Sequence, residues 1–131
     1  RRIQNQHCIC TAMNNHQELI RRAYRAFNAR DLDTVLPLLH PDVYWPRAWE
    51  GGYVNGREEV RAYWLRQWQE LNPTVTPVSI AEKPDGKIEV TVHQRVMDRQ
   101  GHLLADERVL HTYTVVDGLL KRMDIGKPDP A

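Results

Sequence analysis

One strand-like segment carries residues that are well suited to acid/base chemistry. Val109, His111, Tyr113 and Val115 occupy alternate positions, and such alternation in an extended strand places all four side chains on one face. An imidazole has an unperturbed pKa of about 6.5, so it donates or accepts a proton near neutral pH. The pattern therefore indicates either a general acid or base at His111, or a partly buried histidine that a neighbouring strand satisfies.

A second group of ionisable residues lies on the other face of the predicted strands. Asp106 and Arg108 share that face of one strand, and Arg95 lies on the adjacent strand. A carboxylate and a guanidinium across a strand ladder most often form a surface or dimer-face ion pair worth less than about 1 kcal/mol. His93 shares the face of Arg95, opposite the valines of its strand, and we expect it outside unless a bulge reverses the strand.

The composition narrows the classes of function. The chain has 131 residues, with 18 Lys+Arg against 17 Asp+Glu, and no basic stripe interleaved with aromatic residues, which argues against a nucleic-acid partner. No run approaches the roughly 18 apolar residues of a membrane helix, and no charged and then apolar leader precedes a cleavage site. We therefore expect a cytoplasmic protein without a membrane partner. A glycine-rich phosphate turn and paired histidines at helical spacing are both missing, so we expect no cofactor.

The first twelve residues differ from the rest of the sequence. They contain both cysteines and no acidic residue, and Met13 follows them. We interpret residues 1–12 as a leader or an appended remnant, residues 13–126 as a single domain and residues 127–131 as a polar tail. His7, Cys8 and Cys10 lack a second ligand pair at zinc-site spacing, so we expect no metal site.

Hydrophobic periodicity predicts helices followed by strands. Apolar residues recur every three or four positions in the first half and every second position after Thr74. Turn signals at Pro84–Gly86, Asp98–Gly101 and Asp117–Gly118 separate the later strands. This order indicates an α+β domain whose helices cover one face of a curved, mostly antiparallel sheet. The predicted helices are Glu18–Ala29, Asp31–Leu39 and Arg57–Leu71, and the predicted strands are Val43–Trp45, Thr74–Glu82, Lys87–Met97, Leu103–Val116 and Leu119–Ile125.

Four motifs in a fixed order carry a family resemblance. They are Tyr24-x-x-Phe27-Asn28-Ala29-Arg30-Asp31-Leu32-Asp33, His40-Pro41-Asp42-Val43, Asn55-Gly56-Arg57-Glu58-Glu59-Val60 and Thr114-x-x-Asp117-Gly118-Leu119. With them, the chain from Glu18 to Gly126 resembles the SnoaL-like branch of the nuclear transport factor 2-like superfamily, which includes polyketide cyclases and ketosteroid isomerases. The resemblance implies a cone of three helices inside a strongly bent sheet, an apolar pocket between them, and a homodimer packed through the outer sheet face.

The resemblance also implies roles for individual residues. In ketosteroid isomerases the catalytic base follows the first strand, where this chain has Arg47; arginine stays protonated, so steroid isomerisation is disfavoured. A pocket carboxylate of the isomerases and cyclases corresponds to His111, with Tyr113, Tyr24 or Arg47 stabilising oxyanion charge. Trp64 and Trp68 have the spacing of core residues on one helix. The residues that we expect to bind a small apolar, cyclic carbonyl compound are Tyr24, Phe27, Trp45, Arg47, Trp49, Tyr53, Trp64, Val92, Val109 and Met123.

Three functions stay open at this point. The first is a cofactor-independent isomerase, cyclase or lyase that uses His111 and Tyr113. The second is a non-catalytic small-ligand binder or dimeric scaffold, in which His111 is only hydrogen-bonded. The third resembles limonene epoxide hydrolases, through Asp98 or Asp106 with Arg95 and Asp124. Met97 stands where that family's motif has an aspartate, which weakens the third reading.

Overall fold

Helices and strands alternate only in the first half of the domain. The computed structural model describes residues 16–128. Helix α1 runs through residues 16–28, α2 covers Leu32–Val35 with a following 3-10 turn at Leu36–Leu38, and α3 covers Arg57–Glu70. The strands are β1 (Leu39–Pro46), β2 (Tyr53–Asn55), β3 (Leu71–Glu82), β4 (Ile88–Asp98), β5 (Leu103–Val116) and β6 (Leu119–Gly126).

The strands form one curled, unclosed sheet around the helices. Its order is β2-β1-β6-β5-β4-β3, and every pair is antiparallel except β1 with β6. Strands β3 to β6 form a meander with the three predicted hairpins. At the last hairpin, Asp117 and Gly118 have φ of 54° and 74°, the left-handed conformation that a tight two-residue turn requires. The predicted α+β cone is confirmed.

Helix α1 is amphipathic and its end is fastened to the sheet. Ile20, Ala23 and Tyr24 are buried on its inner side. After the last turn, the Asn28 side chain donates to the Val75 carbonyl (2.7 Å) and accepts from the Val75 amide (3.0 Å). Because β3 is an edge strand, these two bonds occupy backbone groups that would otherwise need water or another chain.

Three predicted boundaries were wrong by three or more residues. One is the start of β3, which is at Leu71 rather than Thr74. The second helix ends at Val35 rather than Leu39, since Pro37 has no amide proton to continue the helical hydrogen bonds and a 3-10 turn replaces them. Strand β1 is longer than Val43–Trp45, and the expected loop after it contains β2, which pairs with β1. A strand of three residues beyond Gly51 and Gly52 has too short an alternation to be recognised in the sequence.

The hydrophobic core lies between the helices and the concave face of the sheet. Ile88, Val90, Val92 and Val96 of β4 are at most 1% exposed, whereas His93 and Arg95 lie on the other face, as predicted. Within residues 16–128, none of the helices has both the length and the apolar character needed to span a membrane.

Candidate functional site

A small cavity remains between α1, α3 and the concave face of the sheet. Its volume is about 70 Å³. Trp49 and Ile125 line it and are also 56% and 41% exposed, so they mark the rim where it meets solvent. Of the residues predicted to form the site, those that line this cavity are Tyr24, Phe27, Trp45, Trp49, Trp64, His111, Tyr113 and Met123.

A buried hydrogen-bond chain crosses the cavity wall from β5 to α1. The Tyr113 hydroxyl donates to the Tyr24 hydroxyl oxygen (2.9 Å), and the Tyr24 oxygen lies 2.7 Å from His111 Nδ1. His111 and Tyr113 are two residues apart on one face of β5, as the alternation predicted, and Tyr24 comes from α1. All three side chains are at most 5% exposed. We refer to Tyr113, Tyr24 and His111 as the tyrosine–histidine chain.

The tyrosine–histidine chain is uncharged at neutral pH. Burial lowers the pKa of His111 to about 4, because a charged imidazolium loses its hydration in the apolar wall. Burial likewise raises the pKa of Tyr24 and of Tyr113 well above the usual range of a phenol. Among the described residues that line the cavity, none is Asp, Glu, Lys or Arg. The cavity is therefore an apolar space with a few neutral polar groups.

The direction of the hydrogen bonds decides what His111 offers to the cavity. Since Tyr24 accepts from Tyr113, its own proton is free to point at Nδ1, and a neutral imidazole then carries its proton on Nε2. In the described part of the chain no group accepts a hydrogen bond from Nε2. Trp68 Nε1 is the one fully buried side-chain nitrogen or oxygen of residues 16–128 without a partner, so Nε2 retains access to open space. His111 thus lines the cavity and, with this tautomer, carries an N–H group that no described residue uses.

Aromatic packing explains why so little space is left. Trp45 and Phe27 both meet the Trp64 ring edge-on, with ring centroids 5.2 and 5.1 Å away. Trp64 also stacks on Trp68 at 6.0 Å. Edge-to-face and offset arrangements are the favourable geometries for aromatic pairs. Trp64 is 1% exposed and Trp68 packs against the core, so the predicted core role of this helical pair is confirmed.

Four residues that were predicted to bind ligand are not part of the cavity lining. The Arg47 side chain donates from Nε to the Gly51 carbonyl (2.9 Å) within its own loop. Tyr53 donates its hydroxyl proton to Asp124 on the outer surface. Val92 is fully buried in the core and Val109 is half-buried, yet neither reaches the cavity.

Three polar lining residues were missed by the sequence analysis. They are Tyr63, Gln67 and Gln94. A signal for two of them was present: Gln67 follows Tyr63 by four residues on α3, and Gln94 shares the β4 face of Val92 and Val96. An isolated glutamine is so common on protein surfaces that its position alone did not indicate a cavity.

The epoxide hydrolase-like residues do not assemble in the cavity. Asp106 binds His93 Nε2 at 2.6 Å and Arg95 Nε at 3.5 Å in an exposed cluster, so the predicted surface ion pair is confirmed. Asp98 accepts from the His102 amide in the β4–β5 turn (2.9 Å), and Asp124 binds Arg122 (3.1 Å). These carboxylates have separate partners outside the cavity. The His7, Cys8 and Cys10 group lies outside the described residues.

The comparisons with known proteins agree with this fold. The model of the SnoaL-like domain family matches residues 20–123. An NTF2-like protein of unknown function from Burkholderia pseudomallei is 26% identical, with a TM-score of 0.75 over 87% of this chain and 91% of that chain. A search of curated proteins finds no match to the sequence.

Two further solved structures resemble the chain in fold and contain small molecules. TerC co-crystallised with polyporic acid is 24% identical, with a TM-score of 0.74 over 87% of this chain and 92% of that chain. A Mycobacterium tuberculosis protein in complex with estradiol-17beta-hemisuccinate is 20% identical, with a TM-score of 0.72 over 83% and 90% of the two chains.

The buried imidazole predicts a loss of stability in acid. The folded-state pKa of His111, about 4, lies below the unfolded value of about 6.5. Between these two pH values the unfolded chain therefore binds a proton at this histidine and the folded chain does not. Over this interval the group should remove roughly 3 kcal/mol from the free energy of unfolding. Urea denaturation at both pH values should show a clearly smaller acid loss in His111→Gln than in the wild type. His102→Gln, at a side chain that is 76% exposed, serves as the control and should keep the wild-type acid loss. An equal acid loss in all three proteins would contradict the prediction.

Proposed function

Because this chain belongs to the SnoaL-like domain family, we propose that it binds a small apolar molecule with one hydrogen-bond acceptor, such as a ring carbonyl, in the cavity beside His111. The observation that carries the proposal is that His111 lines an apolar cavity while its Nε2, the nitrogen left protonated when Tyr24 donates to Nδ1, has no partner among the described residues. A carbonyl oxygen would satisfy this donor, and the aromatic lining would cover the rest of the molecule.

The charge balance of the cavity supports a neutral ligand. A carboxylate or an ammonium group that entered this space would lose its hydration and meet no opposite charge among the described lining residues. A ketone loses much less hydration, and its oxygen gains a hydrogen bond to Nε2. The small-molecule complexes of TerC and of the M. tuberculosis protein are compatible with binding in this type of cone.

The proposal predicts a ligand-selective effect of removing the donor. In titrations followed by heteronuclear NMR, cyclohexanone should bind to the wild type and shift the His111 ring signals. His111→Phe should weaken cyclohexanone binding by about fivefold to tenfold, the value of one hydrogen bond to a neutral group. The binding of cyclohexane, which has no acceptor, should stay the same. His111→Gln keeps an N–H donor and should retain part of the selectivity. If both compounds lose affinity equally in His111→Phe, or if neither binds the wild type, the proposal is wrong.

The tyrosine–histidine chain also favours a second candidate, a cofactor-independent isomerase or cyclase. His111 can pass its Nε2 proton to a carbonyl oxygen while the same nitrogen takes up a proton from the carbon next to the carbonyl, and Tyr24 remains the donor to Nδ1. This exchange forms neither an imidazolium nor a tyrosinate, both of which burial disfavours. Tyr113 donates to the Tyr24 oxygen and so strengthens the hydrogen bond from Tyr24 to Nδ1 while the proton on Nε2 is exchanged. In this candidate His111 is the catalytic residue, and the two tyrosines act through it.

The enzymatic candidate makes a separate prediction about turnover. With a compound that the protein converts, His111→Gln should lose turnover by roughly 10²-fold, because an amide cannot exchange protons as an imidazole does. Its dissociation constant for cyclohexanone should stay within a few-fold of the wild type. Unchanged turnover in His111→Gln would leave only the non-catalytic binder.

For a macromolecular partner, we propose a second copy of the chain on the outer face of the sheet. A groove of about 420 Å³ lies there, lined by apolar Val78 and Leu110 beside Thr91 and Arg108. Light scattering at micromolar concentration should give the mass of a dimer, and Leu110→Glu should shift it towards the monomer. Leu65→Glu, on the exposed side of α3, is the matched control and should remain dimeric. A wild-type monomer would contradict this proposal.

A cytoplasmic location remains a prediction from the sequence.

A further inference from the structure

A second space adjoins the cavity on the outside of its rim. This outer groove has a volume of about 190 Å³ and lies along the last turns of α3. Trp49, Tyr63 and Gln67 line both the outer groove and the inner cavity. The two spaces therefore adjoin along three shared side chains, which we call the shared wall, and Trp49 is its exposed member.

The inner cavity is too small for a whole cyclic ligand. A cavity that holds benzene has a volume of about 150 Å³, and ordinary ligand sites exceed about 300 Å³. The inner cavity has about 70 Å³. A ring that places its carbonyl oxygen at His111 must therefore project through the rim, and whatever is attached to that ring lies beyond Trp49.

The shared wall is built to hold its position. The Tyr63 hydroxyl accepts from the Ala48 amide (3.1 Å) and from Gln67 Nε2 (3.3 Å), which ties the Trp49 loop to α3. The loop also closes on itself through bonds from the Arg47 amide to the Gly52 carbonyl (2.9 Å) and from the Gly51 amide to the Arg47 carbonyl (3.1 Å).

Trp49 is exposed although the loop that carries it is tightly closed. The glycines supply the positive φ values, 81° at Gly51 and 75° at Gly52, that so tight a loop needs. Trp49 stands on this closed loop while it is 56% exposed. A large aromatic ring that is exposed on a loop with a fixed backbone is a ready surface for stacking a flat molecule.

Charge distinguishes the outer groove from the inner cavity. Glu50 lies 3.8 Å from Arg66, and the Arg66 guanidinium also lies over the Tyr63 ring, 5.7 Å from its centroid. Glu70 adds a further carboxylate to the lining. With two acidic residues and one basic residue, the groove disfavours an anionic group and accepts a hydroxyl or an ammonium group.

We propose that Trp49 and the outer groove form a second subsite, and that the ligand is an elongated molecule in three parts. Its carbonyl-bearing end enters the inner cavity, its flat body stacks on Trp49, and its far end carries a hydroxyl or ammonium group rather than a carboxylate. This inference rests on the proposed function, since it assigns the inner cavity to the carbonyl end.

Three ketones that differ in length and in the group at their far end test the second subsite. Cyclohexanone has nothing beyond the ring that enters at the rim. 4-(4-Hydroxyphenyl)cyclohexanone adds a flat aromatic body and a hydroxyl group, and 4-(4-oxocyclohexyl)benzoic acid adds the same body with a carboxylate. In NMR titrations of the full chain, the hydroxyphenyl compound should bind about tenfold tighter than cyclohexanone, through contact with Trp49. The benzoic acid should bind a few-fold more weakly than the hydroxyphenyl compound, since exposed charges are screened.

Variants of Trp49 complete the test. Trp49→Ala should remove most of the advantage that the hydroxyphenyl compound has over cyclohexanone, whereas Trp49→Phe should retain much of it. Leu65→Ala shortens an exposed apolar side chain of α3 outside both spaces, and it should behave like the wild type.

The outcomes separate this inference from the proposed function. If cyclohexanone binds but the hydroxyphenyl compound gains nothing, or if Trp49→Ala leaves its gain intact, the second subsite is wrong while the proposed function stands. If 4-(4-oxocyclohexyl)benzoic acid binds as tightly as the hydroxyphenyl compound, the far end of the ligand is not restricted to a hydroxyl or ammonium group and that part of the inference is wrong. If none of the three ketones binds the wild type, both the proposed function and the second subsite are overturned.

Discussion

The hydrogen bond between Tyr24 and His111 is the constraint from which the site follows. It joins α1 to β5 across 87 positions of the sequence, and both side chains are buried. A buried polar group without a partner costs about 1–3 kcal/mol, so the wall tolerates this histidine only with α1 in its observed place. That placement sets the tautomer of the imidazole, and the tautomer decides that the cavity receives a donor.

Packing and recognition are performed by the same side chains. Trp45 and Trp64 bury their rings against each other and also form the cavity wall. The cavity is the space that these aromatic rings leave, which explains why it is both apolar and small. A larger cavity would need a smaller ring at one of these positions, and the contacts of the core would be lost with it.

Charge is distributed according to the two faces of the sheet. The ion pairs of Arg95 with Asp106 and of Arg122 with Asp124 lie outside, where water screens them and their contribution to stability is small. On the concave side, the polar groups that line the cavity are neutral, and Tyr113, Tyr24 and His111 are bonded to one another. This separation follows from the strand alternation, because each inward residue is followed by an outward one.

The alternation of β4 and β5 and the helical spacing of α1 were readable in the sequence, because each is a pattern between near neighbours. They placed His111 and Tyr113 on the inner face and His93 and Arg95 on the outer face. Other features depend on how far apart two elements lie, and no local pattern contains that distance. Only the tertiary structure decided that Tyr24 is the partner of His111, that Gln67 and Gln94 line the cavity, and that Arg47 and Tyr53 do not. It also decided the volume of the cavity, which is the small remainder of many side-chain contacts made between segments distant in the sequence.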